Sequence, residues 1–136
     1  MIVKKMPILQ GFPDFETVKF FTGKFFQKYN FTPVFYDIET TGLSRNSTYL
    51  YLIGAVGIED ETWYFYQWMA ENASEEETIL RIFSQFLQQY NLMISYNGER
   101  FDQPYLEARY EKYGIPSPFT AVSYTHLRAH ETELHL

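Results

Sequence analysis

The sequence predicts an α/β domain built on a mixed sheet, in which three antiparallel strands are followed by a parallel strand and flanked by helices. Three observations lead to this fold class. Runs of β-branched and aromatic residues at 34–39, 48–58 and 62–69 precede the clearest helical pattern, at 74–90, and a short apolar run at 92–96 follows it. The length of 136 residues, with 46% hydrophobic and 20% aromatic residues, suits one packed domain rather than a disordered chain.

The first 32 residues are expected to form a basic helical segment ahead of the main domain. Asp14 is a candidate N-cap for a helix over 14–29, where apolar residues recur at roughly helical spacing and Gly23 is the weakest point. Five lysines against Asp14 and Glu16 give this segment a local charge of +3. A solvated helix face and a contact with nucleic acid both stay open as readings of that charge.

The sheet is expected to begin with "VFYDIE" at 34–39, which the sequence Thr-Thr-Gly then ends. The next two strand-like runs, 48–58 and 62–69, are separated by an acidic turn at 59–61, and this spacing predicts an antiparallel hairpin. Their aromatic residues are expected in the core, because aromatics at sheet spacing are more often packed than free to stack on bases. Three antiparallel strands therefore open the sheet.

The helices and the last predicted strand follow from the second half of the chain. Ser74 and Glu77 have the spacing of a capping box, and apolar residues from Ile79 to Tyr90 recur at the helical period. The run "LMISY" at 92–96 has the length of a buried parallel strand, which a right-handed crossover places in the same sheet. A last helix over "YLEARYEKYG" is expected to end at Gly114.

Composition limits the classes of function. Cysteine is absent, so any metal would be held by oxygen or imidazole ligands. No apolar run reaches the ~18 residues that would span a bilayer, and we expect a soluble, cytoplasmic protein with no membrane partner. The formal net charge of −6 counts against a polyanionic partner without excluding one.

Two carboxylates in the first predicted strand carry the chemical argument. Asp37 and Glu39 flank Ile38, and because strand side chains alternate, both carboxylates point to the face opposite to Ile38. Neighbouring carboxylates repel, and a divalent cation between them would remove that repulsion. Hard oxygen ligands suit Mg²⁺ or Mn²⁺, which often also bind substrate phosphate. The alternative is a half-buried strand whose carboxylates simply face solvent near its end.

A third carboxylate, Asp102, is expected to join this pair. It ends the cluster that begins at Asn97, directly after the predicted strand 92–96, so it reaches the edge of the sheet where Asp37 and Glu39 lie if that strand neighbours the first. The alternative is that Asp102 caps the helix that begins after it. Capping and metal binding can coexist in one carboxylate.

The stretches "DIETTGL" and "NGERFD" resemble the first two motifs of the DEDD-type 3′–5′ exonucleases of the ribonuclease H-like superfamily. The longer run "FYDIETTGL … YLIGAVG … SYNGERFDQPYLEARY" is similar to the YprB-like branch of predicted bacterial nucleases. The similarity covers about residues 34–118, within a domain placed at 33–120. It implies a ribonuclease H-like mixed sheet.

The resemblance also implies the roles of individual residues. Asp37, Glu39 and Asp102 would be the catalytic metal ligands for two Mg²⁺ or Mn²⁺ ions. The nucleotide at the 3′ end would be bound by Thr40, Thr41, Gly42 and Leu43, with Asn97 and Phe101 supporting Asp102 and the substrate. We therefore expect a metal-dependent 3′–5′ exonuclease acting on single-stranded DNA or RNA, with protein partners left open.

Two other functions stay open. One is a ribonuclease H-like module that binds nucleic acid or protein without cutting it. The other is an aspartyl-phosphate phosphotransferase, with Asp37 as nucleophile and Thr41 in support, although this chemistry prefers a second Asp where Glu39 stands and gives Asp102 no role.

The chain departs from the exonuclease pattern after "YEKYGIPSPF". The class carries a fourth carboxylate on a late helix, with a His or Tyr four or five residues before it, and neither that helix nor the strand before it is expected here. We therefore expect the 136-residue chain to be a marginally stable, catalytically inactive fragment.

Residues 121–136 are expected to be a non-native tail. The stretch 122–132 resembles translated sequence of a transposon-derived adapter used in sequencing libraries, and such a segment is excluded from fold reasoning. His126 and His130 have the spacing of a zinc pair, with Glu131 beside them, but we reject that reading because of the apparent origin of the segment.

Overall fold

The structure, a computed structural model, describes residues 1–8, 32–96, 101–120 and 123–127. Its elements in chain order are β1 (Ile2–Pro7), β2 (Pro33–Thr40), β3 (Leu50–Glu59), β4 (Thr62–Met69), α1 (Glu76–Leu87), β5 (Leu92–Tyr96), α2 (Gln103–Lys112) and β6 (Ser123–Leu127). Short 3₁₀ turns lie at Ala73–Glu75 and Pro118–Thr120. Neither α-helix in the described part of the chain has the length and apolar character needed to cross a bilayer.

The strands form one mixed sheet in the order β1-β4-β3-β2-β5-β6. The pairs β1–β4, β4–β3 and β3–β2 are antiparallel, while β5 runs parallel to β2 and β6 runs parallel to β5. The predicted fold class is therefore confirmed: three antiparallel strands, β2 to β4, precede a parallel strand that a helix connects to them. The hairpin between β3 and β4 turns at Asp60 and Glu61, which both have positive φ.

One face of the sheet packs against both helices. Val34, Tyr36 and Ile38 of β2 point to this face and share a core with α1 and α2. The buried helix residues of that core include Ile79, Leu80, Phe83, Leu106 and Tyr110. Each such side chain removed from water contributes about 1.5–3 kcal/mol, so this layer holds the helices in place. The intervening residues of β2, including Asp37 and Glu39, point to the opposite face.

The ends of the helices agree with the sequence in one case and correct it in the other. Gly114, with φ +66°, follows α2 as predicted. The capping box at Ser74 is wrong, because Asn72 accepts a hydrogen bond from the Ser74 amide at 3.0 Å and caps the 3₁₀ turn. The α-helix begins only after that turn, and Glu77 instead pairs with Arg81 at 2.8 Å, one turn along α1.

Both edges of the sheet carry strands that the sequence did not indicate. Within the segment predicted as helical, residues 2–7 form β1 against β4, whereas the predicted helix 14–29 lies outside the described residues. The expectation that no strand follows residue 120 is wrong, since 123–127 pairs with the otherwise open edge of β5. The non-native origin of 121–136 and the division into three segments stay predictions.

Candidate metal centre

The carboxyl end of β2 places its two acidic side chains side by side. Asp37 and Glu39 are exposed, while Ile38 between them is buried in the helix-covered core, as the alternation predicted. The ladder to β3 shifts after Glu39, so that Thr40 pairs one residue out of register. A register shift of this kind changes the direction of the strand, and here it leads the chain from β2 into the loop that follows.

Hydrogen bonds fix the start of that loop. The Thr40 hydroxyl donates to the carbonyl of Gly42 at 2.7 Å, across a tight turn. The amide of Thr41 donates to the Tyr49 carbonyl at 3.0 Å, and the Tyr49 amide donates to the Thr41 hydroxyl at 3.0 Å. The loop between Thr41 and Tyr49 is therefore closed at its base by a reciprocal pair of contacts.

The remaining two predicted substrate residues of the loop differ in their surroundings. A Cβ added at Gly42 would lie 2.8 Å from Cγ2 of Thr48, so a larger residue would push the two sides of the loop apart. Leu43 is 85% exposed, an unusual degree for a leucine. Its side chain is accessible to a partner molecule at the same end of the sheet as Asp37 and Glu39.

Asp102 reaches this end of the sheet by the predicted route. Strand β5 lies beside β2, with Tyr36 paired to Ser95, and Asp102 immediately precedes α2. Its side chain is buried, with 5% exposure, and makes no capping hydrogen bond, so the helix-cap alternative is not observed. The buried Oδ2 of Asp102 has no hydrogen-bond partner.

The electrostatics of Asp102 tie it to the other two carboxylates. Burial raises its pKa from 3.8 to about 7, and repulsion from Asp37, hydrogen bonding with Asp37 and repulsion from Glu39 act in the same direction. Asp102 thus interacts with both acidic residues of β2 that the sequence singled out, and more strongly with Asp37 than with Glu39. Asn97 lies outside the described residues.

These residues fit a divalent cation by their chemistry. A buried carboxylate oxygen without a partner, next to two further carboxylates, is a site where added positive charge would be favourable. No group of three or more Asp, Glu, His or Cys side chains in the described ranges has the arrangement of a formed metal site. Like charges without a cation repel, so the carboxylates would have to draw closer around one.

An apolar pocket of about 280 Å³ lies beside the acidic pair, on the face of the sheet opposite to the helices. Its lining includes Phe35, Leu52, Val56 and Phe65, with Gln67, next to Asp37 and Glu39. The two carboxylates therefore stand where an apolar surface meets the solvated loop.

A buried ion pair lies behind the loop, and it was not predicted from the sequence. Glu76 of α1 and Arg109 of α2 are 0% and 2% exposed and pair through both carboxylate oxygens. Glu76 stands in a run of three glutamates that reads as a solvated helix start. Arg109 shares a helical face with Tyr105 and Leu106, and this cation on an apolar face was the one available signal.

A second contact behind the loop joins Tyr105 to Thr48. The Tyr105 hydroxyl lies 2.7 Å from the Thr48 hydroxyl, and the ring of Phe101 lies 5.4 Å from the Tyr105 ring between centroids. Phe101, predicted to support Asp102 and the substrate, is half-buried and packs with the first turn of α2. Its observed contact is thus with the helix that follows Asp102.

Comparison with known proteins agrees with this fold. The chain is similar to the family B DNA polymerase from the hyperthermophilic archaeon Pyrobaculum calidifontis, with 19% identity and a TM-score of 0.54 over 65% of this chain and 12% of the polymerase chain. No curated protein is significantly similar to it in sequence. The family model of the RNase_H superfamily matches residues 34–134, which include the three carboxylates and most of the tail. The chain therefore belongs to the ribonuclease H superfamily.

Proposed function

We propose that this domain is the metal-binding core of a 3′–5′ exonuclease that hydrolyses phosphodiester bonds at single-stranded ends of DNA or RNA. The observation that carries the proposal is the buried Oδ2 of Asp102, without a hydrogen-bond partner, next to Asp37 and Glu39. A structural carboxylate would be paired with a donor or a cation. The superfamily membership and the similarity to a DNA polymerase support a nucleic-acid substrate.

The three carboxylates would hold two Mg²⁺ or Mn²⁺ ions. When bound, such ions supply an activated water and stabilise the leaving 3′-oxygen of an in-line displacement. Asp37 and Glu39, which are exposed, present their oxygens towards solvent and substrate, and Asp102 presents its free oxygen from the buried side. The exposed Leu43 and the closed turn at Thr40–Gly42 form a surface for the terminal nucleotide.

The first test measures binding of 5′-labelled single-stranded DNA and RNA by fluorescence anisotropy, with Mn²⁺ and with a chelator. We expect Mn²⁺ to tighten binding of an oligonucleotide with a free 3′-hydroxyl. The variant Asp37→Asn should lose that Mn²⁺-dependent gain. Asp60→Asn, at the exposed β3–β4 turn, is the matched control and should keep it. The proposal would be contradicted if the wild type bound the oligonucleotide with the same affinity in Mn²⁺ and in the chelator, or if Asp37→Asn kept the full gain from Mn²⁺.

The second test measures hydrolysis in a longer version of the protein that supplies a fourth carboxylate. With Mn²⁺ it should shorten a 5′-labelled strand stepwise from the 3′ end, and Asp37→Asn should reduce the rate by at least about 10²-fold, as loss of a charge-stabilising group does in other enzymes. Products that shorten from the 5′ end, or internal cuts, would refute the assigned polarity.

A module that binds nucleic acid or protein without hydrolysis is the second candidate. It is favoured by the fact that the described residues hold no formed group of three metal ligands. The two candidates separate in the tests above, because a non-catalytic module would bind the oligonucleotide in the chelator and tolerate Asp37→Asn.

A further inference from the structure

The buried ion pair between Glu76 of α1 and Arg109 of α2 makes several further hydrogen bonds. The two oxygens of Glu76 accept hydrogen bonds from the Arg109 guanidinium through Nε, at 2.8 Å, and through Nη2. The same carboxylate accepts from the Leu50 amide at 2.7 Å and from the Tyr113 hydroxyl at 2.6 Å. The carboxylate is therefore fully used, and it fixes the orientation of the guanidinium plane.

The remaining arm of the guanidinium reaches the loop after β2. Nη1 of Arg109 donates to the backbone carbonyl of Arg45 at 2.9 Å. Arg45 lies two residues beyond Leu43 and is the middle residue, in sequence, of the loop that Thr41 and Tyr49 close. Arg109 thus links the interior of the helix layer to the segment proposed to receive the terminal nucleotide.

Stability alone does not account for this arrangement. Buried ion pairs are often no more stabilising than apolar residues of similar volume. The helix α2 has a separate attachment to α1, because the Tyr110 hydroxyl donates to the Leu80 carbonyl at 2.9 Å and both side chains are fully buried. What Arg109 adds, and an apolar residue would not, is the contact with Arg45.

We propose that Arg109, oriented by Glu76, is a positioning residue that holds the loop from Thr41 to Tyr49 against α2 and so sets the place of Leu43 and the Thr40–Gly42 turn relative to Asp102. The functional part of this inference rests on the proposed nuclease function. The physical part, that Arg109 anchors the loop, is measurable without any substrate.

The test uses the double variant Glu76→Gln/Arg109→Met, which removes both buried charges together and leaves an amide that can still accept from Leu50 and contact Tyr113. Arg109→Lys is the second variant, since one ammonium group does not reproduce a planar fork that spans Glu76 and Arg45. Arg81→Met removes an exposed arginine of α1 and is the matched control. All measurements are made far below the unfolding temperature.

The first readout is amide hydrogen exchange at Thr41 and Tyr49, the two amides that close the loop. The expected result is exchange at least ten times faster in the double variant and in Arg109→Lys, with core amides of β2 and α1 unchanged and with Arg81→Met like the wild type. Unchanged exchange at Thr41 and Tyr49 in a folded variant would overturn the anchoring role. If the double variant does not fold, Arg109→Lys decides the question.

The second readout compares Mn²⁺ affinity with oligonucleotide affinity. We expect the variants to bind Mn²⁺ within about twofold of the wild type, while the Mn²⁺-dependent oligonucleotide affinity falls at least fivefold. Faster exchange with unchanged oligonucleotide affinity would overturn the positioning role alone. A wild type that binds neither Mn²⁺ nor oligonucleotide would instead refute the proposed function, and the positioning role with it.

Discussion

Glu76 and Asp102 are both buried carboxylates beside the first turn of a helix, but their surroundings differ in charge and in hydrogen bonding. Glu76 faces the guanidinium of Arg109 and accepts hydrogen bonds from Leu50 and Tyr113 as well. Asp102 faces Asp37 and Glu39 and has one oxygen without a partner. The same chemical group is thus compensated in one region of the molecule and uncompensated in the other.

This difference supports a structural role for Glu76 and is consistent with the metal-binding role that we propose for Asp102. The charge of Glu76 is balanced within the protein, so its replacement should act mainly on stability and on the geometry of what it holds. No cation among the described residues balances the charge of Asp102. Its replacement by a neutral residue should therefore stabilise the metal-free protein and weaken the proposed metal binding. Substitution should therefore lower the free energy of unfolding at the Glu76–Arg109 pair and raise it at Asp102.

The largest expected effect is on the compensated side. Arg109→Met alone leaves Glu76 buried and unpaired, and we expect the free energy of unfolding to fall by about 3–5 kcal/mol. Urea unfolding followed by circular dichroism measures this. The double variant Glu76→Gln/Arg109→Met should regain most of the lost free energy of unfolding, because no unpaired charge remains in it. A single variant as stable as the wild type would show that Glu76 is not held by this pair.

The next effect lies on the uncompensated side and has the opposite sign. Asp102→Asn keeps the shape of the side chain and removes its charge, so at pH 8 in a chelator it should raise the free energy of unfolding by about 1–3 kcal/mol. Glu107→Gln, an exposed position on the same helix, is the matched control and should change little. Destabilisation by Asp102→Asn at pH 8 would contradict an uncompensated charge.

The pH dependence of that difference follows from the pKa of Asp102, which is raised from 3.8 to about 7 in the folded protein. Between these values the folded state holds a proton that the unfolded state releases, so stability from this group falls as the pH rises through that window. The gain from Asp102→Asn should therefore be small below about pH 4 and complete above about pH 7. Unfolding curves of both proteins at several pH values measure it, and a gain independent of pH would refute the assignment.

The smallest expected change in the free energy of unfolding comes from removing one hydrogen bond to Glu76. Tyr113→Phe removes one of its hydrogen-bond donors and leaves the ion pair in place. We expect a loss of about 0.5–1.5 kcal/mol in the free energy of unfolding, with no change in Mn²⁺ affinity. A loss as large as that of Arg109→Met would mean that the hydroxyl, rather than the guanidinium, compensates the charge.

The sequence was sufficient for the four strands β2 to β5, because each of them shows a local apolar pattern of the length of a strand. Alternation in β2 placed Asp37 opposite to Ile38, and the crossover rule placed β5 beside β2, which brought Asp102 to the same end. The roles of these residues as metal ligands stay predictions.

The sequence missed other features, two of them because their partners are distant in the chain and one because a neighbouring side chain competes. The ion pair joins Glu76 to a residue 33 positions later, and its members look like surface charges until α1 and α2 are packed. The capping prediction failed at Ser74 because the nearby Asn72 side chain takes its amide. Strand β1 was missed because its pairing with β4 spans more than fifty residues and two lysines interrupt its apolar pattern.

Mn²⁺ titration of the wild type and of Asp102→Asn at pH 8, followed by the electron paramagnetic resonance of free Mn²⁺, tests the proposed metal site most directly. If Asp37, Glu39 and Asp102 hold divalent cations together, the wild type binds Mn²⁺ and Asp102→Asn binds it at least about tenfold more weakly, as loss of a ligand should cause. Equal Mn²⁺ binding by the two proteins, or none by the wild type, would contradict it.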